Sequence, residues 1–154
     1  MGMLMGKAPL FPFRPVSAPC YPAFMKETFA PGIGIDLVEV DRFRSALEKG
    51  GATFLNRLFT PSEQEDCASR ADPPIHYAAR WAAKEAAMKA LGSGFAQDGV
   101  EFTHFEIRSD GSSPPQILLH KKAAELASER GLRSLRLSLS HTSTTAAAVV
   151  MAQA

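Results

Sequence analysis

The stretch from Ile75 to Leu91 constrains the fold most, because it contains seven alanines and neither glycine nor proline. Alanine has the highest helix propensity of all residues, so this stretch is predicted to form one long helix that ends at Gly92. Trp81, Glu85 and Lys89 follow one another at intervals of four residues and therefore share one face of that helix. The helix is expected to pack closely on its alanines while charged side chains leave it on more than one side.

The first predicted strand carries an aspartate between apolar residues. β-Branched residues and two glycines predict this strand over Gly32 to Val40. Its residues Ile33, Ile35 and Leu37 alternate onto one face. Asp36 therefore points to the other face.

Two sets of start signals predict two helices between that strand and the long helix. Asp41 is a suitable N-cap for a helix that ends at Gly50-Gly51. Thr60-Pro61-Ser62-Glu63 is a capping box with proline at the first helical position, which predicts a helix through Cys67. The Asp72-Pro-Pro sequence is expected to separate this helix from the long one.

After the long helix the apolar pattern changes to a period of two residues, which is typical of strands. Strands are predicted at residues 103–107, 116–120, 135–139 and 144–151, and a helix at residues 121–130. The Asp110-Gly111 turn joins the first two of these strands into a hairpin. Helices and strands neither alternate strictly nor separate fully. The sequence therefore predicts an α+β single domain, with a largely antiparallel sheet packed against the long central helix.

The composition excludes several classes of protein. The chain has 154 residues, a length typical of one globular domain, and its net charge of +1 provides no basic field for nucleic acid or an anionic membrane. Its two cysteines, Cys20 and Cys67, support neither a disulfide framework nor a CxxC site. No apolar run approaches the roughly 18 residues that span a bilayer. We expect a soluble cytoplasmic protein with no nucleic-acid or membrane partner.

Residues 1–31 are predicted to be a proline-rich N-terminal extension that is poorly ordered. They contain six of the eleven prolines, which exclude both helices and central strands. The domain is therefore expected to span residues 32–154. Prolines and an arginine interrupt any apolar core of a secretory signal. A protein start at Met25 and a short targeting leader are both consistent with this segment.

Asp36 and Glu85 are the leading candidates for a metal site. Asp36 lies between apolar neighbours and needs a cation, hydrogen-bond donors or a raised pKa, unless it is an ordinary half-exposed aspartate. Glu85 lies four residues before Lys89, which is also the spacing of an ordinary exposed ion pair. If strand and helix are neighbours, the two carboxylates match the ligand number that Mg²⁺ takes from protein when phosphates and water complete its octahedron. Lys89 and Arg80 would then hold phosphate oxygens.

The histidines give a weaker signal. His141 enters a Thr-Ser-Thr turn at the end of a predicted strand, where its imidazole would lie beside hydroxyls and backbone amides. A single histidine in a turn is ordinarily just exposed. His76, His104 and His120 have no partners that their spacing identifies, and we expect them to be structural or solvated.

Three motifs occur in one order: GIGIDLVEVDR at residues 32–42, RWAAKEAAMKALGSG at residues 80–94 and SLSHT at residues 138–142. Together they resemble the holo-acyl-carrier-protein synthases, the small single-domain group of the 4′-phosphopantetheinyl transferases. The resemblance runs from Gly32 to the C-terminus. Trp81 stands where the family usually has phenylalanine, a change that is expected to alter packing and not chemistry.

The resemblance implies the 4′-phosphopantetheinyl transferase fold and its reaction. In that reaction, 4′-phosphopantetheine passes from coenzyme A to a serine of apo-acyl carrier protein, adenosine 3′,5′-bisphosphate is released, and fatty acid biosynthesis is supported. Coenzyme A would be a co-substrate and Mg²⁺ the metal, with Mn²⁺ as an alternative. The metal ligands would be Asp36 and Glu85. Lys89 would be the third catalytic residue, because it would neutralise the pyrophosphate and protonate the leaving group.

The resemblance also implies binding residues and an assembly. For the nucleotide end of coenzyme A these are Arg80, Lys89, Gly92, His141 and Thr142. For the acidic helix of the carrier protein they are Arg42 and, assisting it, Arg44 and Arg57. The implied assembly is a homotrimer with sites at the subunit interfaces.

Two other classes of function fit the sequence less well. A non-catalytic module that binds nucleotides or acidic proteins would be expected to lack Asp36, Glu85 or Lys89, and all three are present. A purely structural oligomer would leave Asp36 and the mixed charges of the long helix without a purpose.

Overall fold

The computed structural model describes residues 32–94 and 97–154. Its strands are β1 (Ile33–Glu39), β2 (Phe105–Arg108), β3 (Gln116–Leu119), β4 (Ser134–His141) and β5 (Thr145–Gln153). Its helices are α1 (Val40–Leu58), α2 (Pro61–Ala68), α3 (Pro73–Leu91) and α4 (Lys121–Glu129). The strands form one antiparallel sheet in the order β1-β5-β4-β3-β2. This confirms the predicted α+β fold; the predicted extension over residues 1–31 lies outside the described residues.

The long helix α3 lies across β1 and β5 and approaches β1 so closely that the strand requires glycine. A Cβ atom on Gly34 would overlap the carbonyl oxygen of Ala86, and one on Gly32 would lie 2.5 Å from that of Ala90. Glycine in the strand and alanine in the helix thus allow the two backbones to touch. Asp36 projects from the same face of β1 as Gly34, and its side chain is therefore directed toward α3.

The core lies between α3 and the sheet and consists largely of alanine. Its fully buried alanines from α3 and β5 are Ala78, Ala82, Ala83, Ala86, Ala87, Ala90, Ala146 and Ala148. On the other side of α3, helix α1, the residue that follows it and α3 itself contribute to an aromatic cluster whose contacting ring centroids are 4.9 to 6.3 Å apart. Its members are Phe43, Phe54, Phe59, Tyr77 and Trp81. Small residues thus fill the helix–sheet contact, and large rings fill the helix–helix contact.

Three of the apolar residues of β1 lie on the face of the sheet away from α3. Ile33, Ile35 and Leu37 are 72%, 57% and 65% exposed. Their neighbours on β5 are Met151 and Val149, which are 41% and 42% exposed. We call these five residues the open face. The predicted alternation along β1 is confirmed, and the apolar side is the one that this single chain leaves uncovered.

Helix α1 departs from prediction at its start and near its middle. Its N-cap is Glu39 and not Asp41, which lies in the first turn, where its negative charge is favourable near the helix N-terminus. The predicted end at Gly51 is an interruption, because this glycine has a φ of 53° and the helix then continues to Leu58. A glycine tolerates this backbone conformation and so permits the kink within one assigned helix.

Two other predicted boundaries, the start of a helix and the start of a strand, were wrong, and local features of the sequence explain both. Helix α3 begins at Pro73, so the Asp72-Pro-Pro sequence opens this helix, since the first helical residue needs no N–H donor. Thr103 lies in a 3₁₀ turn before β2 and not in the strand. In that turn the Glu101 amide donates to His104 Nδ1 at 3.1 Å, a side-chain contact that period-two patterning does not reveal.

The two strongest helix end signals were confirmed. The Thr60 amide donates to Glu63 Oε2 at 2.8 Å and the Glu63 amide to Thr60 Oγ1 at 3.3 Å, which is the predicted capping box. Gly92 ends α3 in the left-handed conformation with a φ of 72°. None of the helices in the described residues is long and apolar enough to cross a membrane.

Candidate active site

An open pocket of about 460 Å³ lies where β1 meets α1, α3 and the start of β5. Asp36 of β1 and Glu85 of α3 line it together with Arg42, Trp81 and Thr145. We call it the carboxylate pocket. It brings together three of the predicted site residues, which come from three different elements of the fold.

The two carboxylates act on each other electrostatically. Burial raises the pKa of Glu85 above its usual value, and the negative charge of Asp36 raises it further, while Lys89 opposes both effects. Two carboxylates in a half-buried pocket are unfavourable unless a cation or a proton balances them. The close approach of β1 and α3 at Gly34 is what brings these charges together.

Lys89 lies at the rim of this arrangement. Its Nζ donates to Asp36 Oδ1 at 2.8 Å and to the Ile35 carbonyl oxygen at 3.0 Å. The Lys89 side chain is 50% exposed, whereas that of Asp36 is 20% exposed. An ammonium with this exposure can reach a bound phosphate while it still balances the charge of Asp36.

The carboxylate pocket fits a hard divalent cation. Mg²⁺ uses one or two protein carboxylates and takes its other ligands from water and from substrate phosphates. Within residues 32–94 and 97–154, no cluster of three or more histidine, cysteine, aspartate and glutamate side chains could hold a metal. Asp36 and Glu85 supply two carboxylates of the kind that Mg²⁺ takes from protein.

A second pocket, of about 270 Å³, lies between the start of α3, the end of β4 and the β2–β3 connection. Arg70, His76, Arg80 and His141 line it, and we call it the cationic pocket. The predicted residues Arg80 and His141 meet here, and neither is among the residues that line the carboxylate pocket. Within one chain, the predicted site residues thus fall into two separate groups.

Arg80 is held firmly in this second pocket. Its side chain is 4% exposed, one guanidinium nitrogen donates to Asp66 Oδ2, and the other donates to the His76 carbonyl oxygen at 3.4 Å. Asp66 also accepts a 2.8 Å bond from Arg70. The sequence interpretation missed Asp66, Arg70 and His76, although both Asp66 with Arg70 and His76 with Arg80 have the four-residue spacing of neighbours on a helix face.

The remaining predicted nucleotide residues occupy turns. Gly92 follows Lys89 at the C-terminal end of α3. Thr142 lies in the β4–β5 turn, where its Oγ1 accepts a 3.1 Å bond from the Thr145 amide. This bond fixes the turn that joins His141 at the end of β4 to Thr145 in the carboxylate pocket.

The three predicted carrier-binding arginines are spread along α1. Arg42 lies in the first turn, is exposed and lines the carboxylate pocket. Arg44 forms an ion pair with Asp72 at 3.3 Å. Arg57 lies in the last turn, beyond the interruption at Gly51. The arginine that lies beside the carboxylates is therefore Arg42.

Residues 32–149 match the family model of the 4′-phosphopantetheinyl transferase superfamily, and the chain belongs to this family of enzymes. Its curated relatives include holo-[acyl-carrier-protein] synthases. That of Syntrophus aciditrophicus (strain SB) is 45% identical over 120 residues, which are 78% of this chain and 93% of the relative. The predicted family is thereby confirmed.

Solved structures agree with these relatives. The crystal structure of holo-[acyl-carrier-protein] synthase from Neisseria meningitidis matches with a TM-score of 0.75 and 31% identity, covering 82% of this chain and all (100%) of that one. The Helicobacter pylori enzyme in complex with coenzyme A matches with a TM-score of 0.68 and 31% identity, covering 79% of this chain and 99% of that one. The predicted fold family is confirmed by these structures.

Proposed function

We propose that this protein transfers 4′-phosphopantetheine from coenzyme A to a serine of apo-acyl carrier protein and releases adenosine 3′,5′-bisphosphate. The reaction depends on Mg²⁺, with Mn²⁺ as a possible substitute, takes place in the cytoplasm and supports fatty acid biosynthesis. We assign it to residues 32–154. The observation that carries this proposal is the convergence of Asp36 and Glu85 in one open pocket with Lys89 at its rim.

In the proposed reaction the serine oxygen forms a bond to the β-phosphorus of coenzyme A. The bond from that phosphorus to the bridging oxygen breaks, and the bridging oxygen leaves with the adenosine bisphosphate. Asp36 and Glu85 would hold the divalent cation, which would neutralise the diphosphate and polarise the phosphorus under attack. Glu85, acting through a water molecule, accepts the serine proton. Lys89 donates a proton to the departing oxygen.

We assign the nucleotide end of coenzyme A to the cationic pocket. Arg80 and His141 line this pocket, and Thr142 follows His141 in the β4–β5 turn. Lys89 and Gly92 lie at the end of α3 beside the carboxylates and would contact the diphosphate. Guanidinium and imidazolium groups are suitable donors for phosphate oxygens.

The separation of the two pockets in one chain supports a homotrimer. In such an assembly the cationic pocket of one subunit would face the carboxylate pocket of the next, so that one molecule of coenzyme A bridges both. The open face, with Ile33, Ile35 and Leu37 mostly exposed, supplies apolar surface for this contact. A single chain would otherwise expose these side chains to water.

We assign the acidic helix of the carrier protein to Arg42, which is exposed and lines the carboxylate pocket. A carrier bound there would present its serine to the metal-binding carboxylates. Arg44 and Arg57 lie farther along the same helix and would assist. Oppositely charged surfaces of this kind speed up encounter and fix orientation.

The direct test is to incubate the full chain with coenzyme A, Mg²⁺ and apo-acyl carrier protein and to measure the carrier's mass. We expect a gain of one phosphopantetheine group, which disappears with a metal chelator and with Glu85→Gln. Glu65→Gln is the matched control, because Glu65 is an exposed carboxylate on α2 and should leave the gain unchanged. If wild-type protein leaves several apo-carriers unmodified, the proposed function is wrong.

A further inference from the structure

The interruption of α1 turns this helix back toward its own start. Phe43 and Phe54 are eleven residues apart, and one continuous helix would separate them by about 16 Å along its axis. Their ring centroids are instead 5.7 Å apart. Phe59, which follows the last turn of α1, also contacts Phe43, with 6.3 Å between ring centroids. Residues 40–50, which we call the first segment, therefore pack against residues 52–58, the second segment.

The turn between the two segments depends on glycine. Gly51 has a φ of 53° and a ψ of −142°, a backbone conformation that residues with a Cβ atom rarely adopt. Among the described residues, apart from its chain neighbours, nothing lies within 4 Å of a Cβ atom added to Gly51. The requirement for glycine is therefore conformational and not steric. A larger residue would have room for its side chain and would still oppose the turn.

The second segment is held at two points beyond the turn. The Phe54 ring packs edge-to-face on Trp81, with 6.2 Å between ring centroids. The buried Lys84 Nζ donates to the Leu58 carbonyl oxygen at 2.7 Å. Both contacts are made by α3, the helix that carries Glu85. The turn thus places the second segment on the helix that supplies one carboxylate of the carboxylate pocket.

The turn also shortens the distance between two positive charges. Arg42 lies in the first segment, is exposed and lines the carboxylate pocket, and Arg57 is exposed in the second segment. In a continuous helix their fifteen-residue spacing would separate them by about 22 Å along the axis. Arg42 is next to Phe43, and Arg57 lies one turn after Phe54. Because these two rings meet, the two arginines lie nearer to each other than a continuous helix would allow.

We propose that Gly51 is a positioning residue for the carrier protein, because it sets the spacing at which Arg42 and Arg57 contact one acidic helix. This inference rests on the proposed function, which assigns that acidic helix to the arginines of α1. A helix of ten residues is about 15 Å long and would span only part of the distance across a continuous α1. The turn therefore favours a partner whose acidic groups are clustered on one short helix.

The test measures the KM for apo-acyl carrier protein and for coenzyme A with the full chain in the carrier mass assay. Gly51→Val should raise the KM for the carrier about two- to fivefold and leave that for coenzyme A unchanged. Gly131→Val is the matched control. Gly131 has a φ of 69° in the connection from α4 to β4, and among the described residues nothing lies within 4 Å of an added Cβ atom. This variant should strain the backbone in the same way and leave both KM values unchanged.

A double-substitution cycle separates positioning from a general loss of structure. Arg57→Gln alone should raise the KM for the carrier about two- to fivefold. In the Gly51→Val background it should have no further effect, because Arg57 has already left its place. If the two effects multiply instead, Gly51 does not act through Arg57 and the proposal is wrong. A Gly51→Val protein with the wild-type KM for the carrier contradicts it as well.

Two further measurements show whether the second segment has moved. Trp81 is the only tryptophan of the chain and packs on Phe54, so its fluorescence emission should shift in Gly51→Val and not in Gly131→Val. An unshifted emission in Gly51→Val would show that the turn does not need glycine and would overturn the proposal. Should Gly51→Val fail to fold, Phe54→Ala removes the ring that holds the second segment and leaves the backbone unstrained. It should raise the KM for the carrier and reduce the effect of Arg57→Gln, and unchanged values of both would overturn the proposal.

The positioning role and the transferase function fail separately, because calorimetric titration with apo-acyl carrier protein measures binding without catalysis. If wild type binds the carrier without modifying it and Gly51→Val binds it more weakly, the transferase function is wrong and the positioning role stands. If wild type modifies the carrier and Gly51→Val has an unchanged KM for it, the positioning role is wrong and the function stands. If wild type neither binds nor modifies the carrier, both are wrong.

Discussion

Helix α3 carries two lysines five residues apart, Lys84 and Lys89, and each pairs with a carboxylate. The two pairs differ in their exposure to solvent. Lys84 and Glu63 are completely buried, with side-chain exposures of 0% and 1% and a separation of 2.7 Å. Lys89 and Asp36 are 2.8 Å apart, and Lys89 is half exposed. Both pairs join a lysine ammonium to a carboxylate. They differ in the other groups that each lysine can bind.

The buried pair uses its hydrogen bonds inside the protein. Lys84 Nζ also donates to the carbonyl oxygens of Leu58 at 2.7 Å and Phe102 at 3.1 Å. Glu63 also accepts from the Thr60 amide at 2.8 Å and from the Ile107 amide at 2.9 Å. This pair joins α1, α2, α3 and β2, and no donor of the lysine remains for a ligand. Lys89, by contrast, can exchange partners at the rim of a pocket.

Lys84→Met gives the largest effect that this comparison predicts. The variant keeps the length of the side chain but leaves Glu63 buried without its cation, so we expect a loss of about 3–5 kcal/mol in the free energy of unfolding. Urea denaturation followed by circular dichroism measures this loss. Lys122→Met is the matched control, because Lys122 pairs with Glu125 at the surface and its removal should change stability far less. Equal effects of the two substitutions would show that burial does not distinguish the pairs.

The carboxylate pocket was largely predictable from sequence, for a local reason. Gly34 and Ala86 must touch, and Asp36 and Glu85 lie two residues and one residue from that contact. Alternation along the strand then directs Asp36 toward the helix. Once a glycine-containing strand is paired with an alanine-rich helix, the meeting of these two carboxylates follows.

The cationic pocket was not predictable in the same way. Asp66 and Arg70 come from α2 and its connection to α3, and His141 comes from the end of β4. Their meeting with Arg80 depends on how three elements pack around the start of α3, and no local pattern encodes that packing. The Asp72-Pro-Pro sequence made this packing harder to predict, because it suggests a break between two helices, whereas in the structure it begins α3.

Lys89→Met is expected to lower activity and to leave stability almost unchanged, whereas Lys84→Met mainly lowers stability. The half-exposed pair with Asp36 contributes little to stability, so the free energy of unfolding should fall by less than about 1 kcal/mol. If Lys89 protonates the leaving oxygen, kcat for carrier modification should fall about 100-fold. The carrier mass assay and urea denaturation, run on both lysine variants and on Lys122→Met, separate these effects. If Lys89→Met has a normal kcat, Lys89 has no catalytic role and both lysines serve only the structure.

Among these substitutions, Glu85→Gln is expected to give the smallest change in the free energy of unfolding. The pKa of Glu85 is raised in the folded protein, by burial first and by Asp36 second, so folding favours its protonated form. Wild-type protein should therefore lose stability relative to Glu85→Gln as the pH rises from below the usual glutamate pKa through the raised value. At neutral pH the inactive variant should be at least as stable as the wild type, with a difference smaller than that caused by Lys84→Met. Thermal unfolding at several pH values, without divalent cations, measures this difference. If the variant is instead less stable at neutral pH, the Glu85 carboxylate stabilises the fold as Glu63 does, and its place in the pocket would not indicate a function.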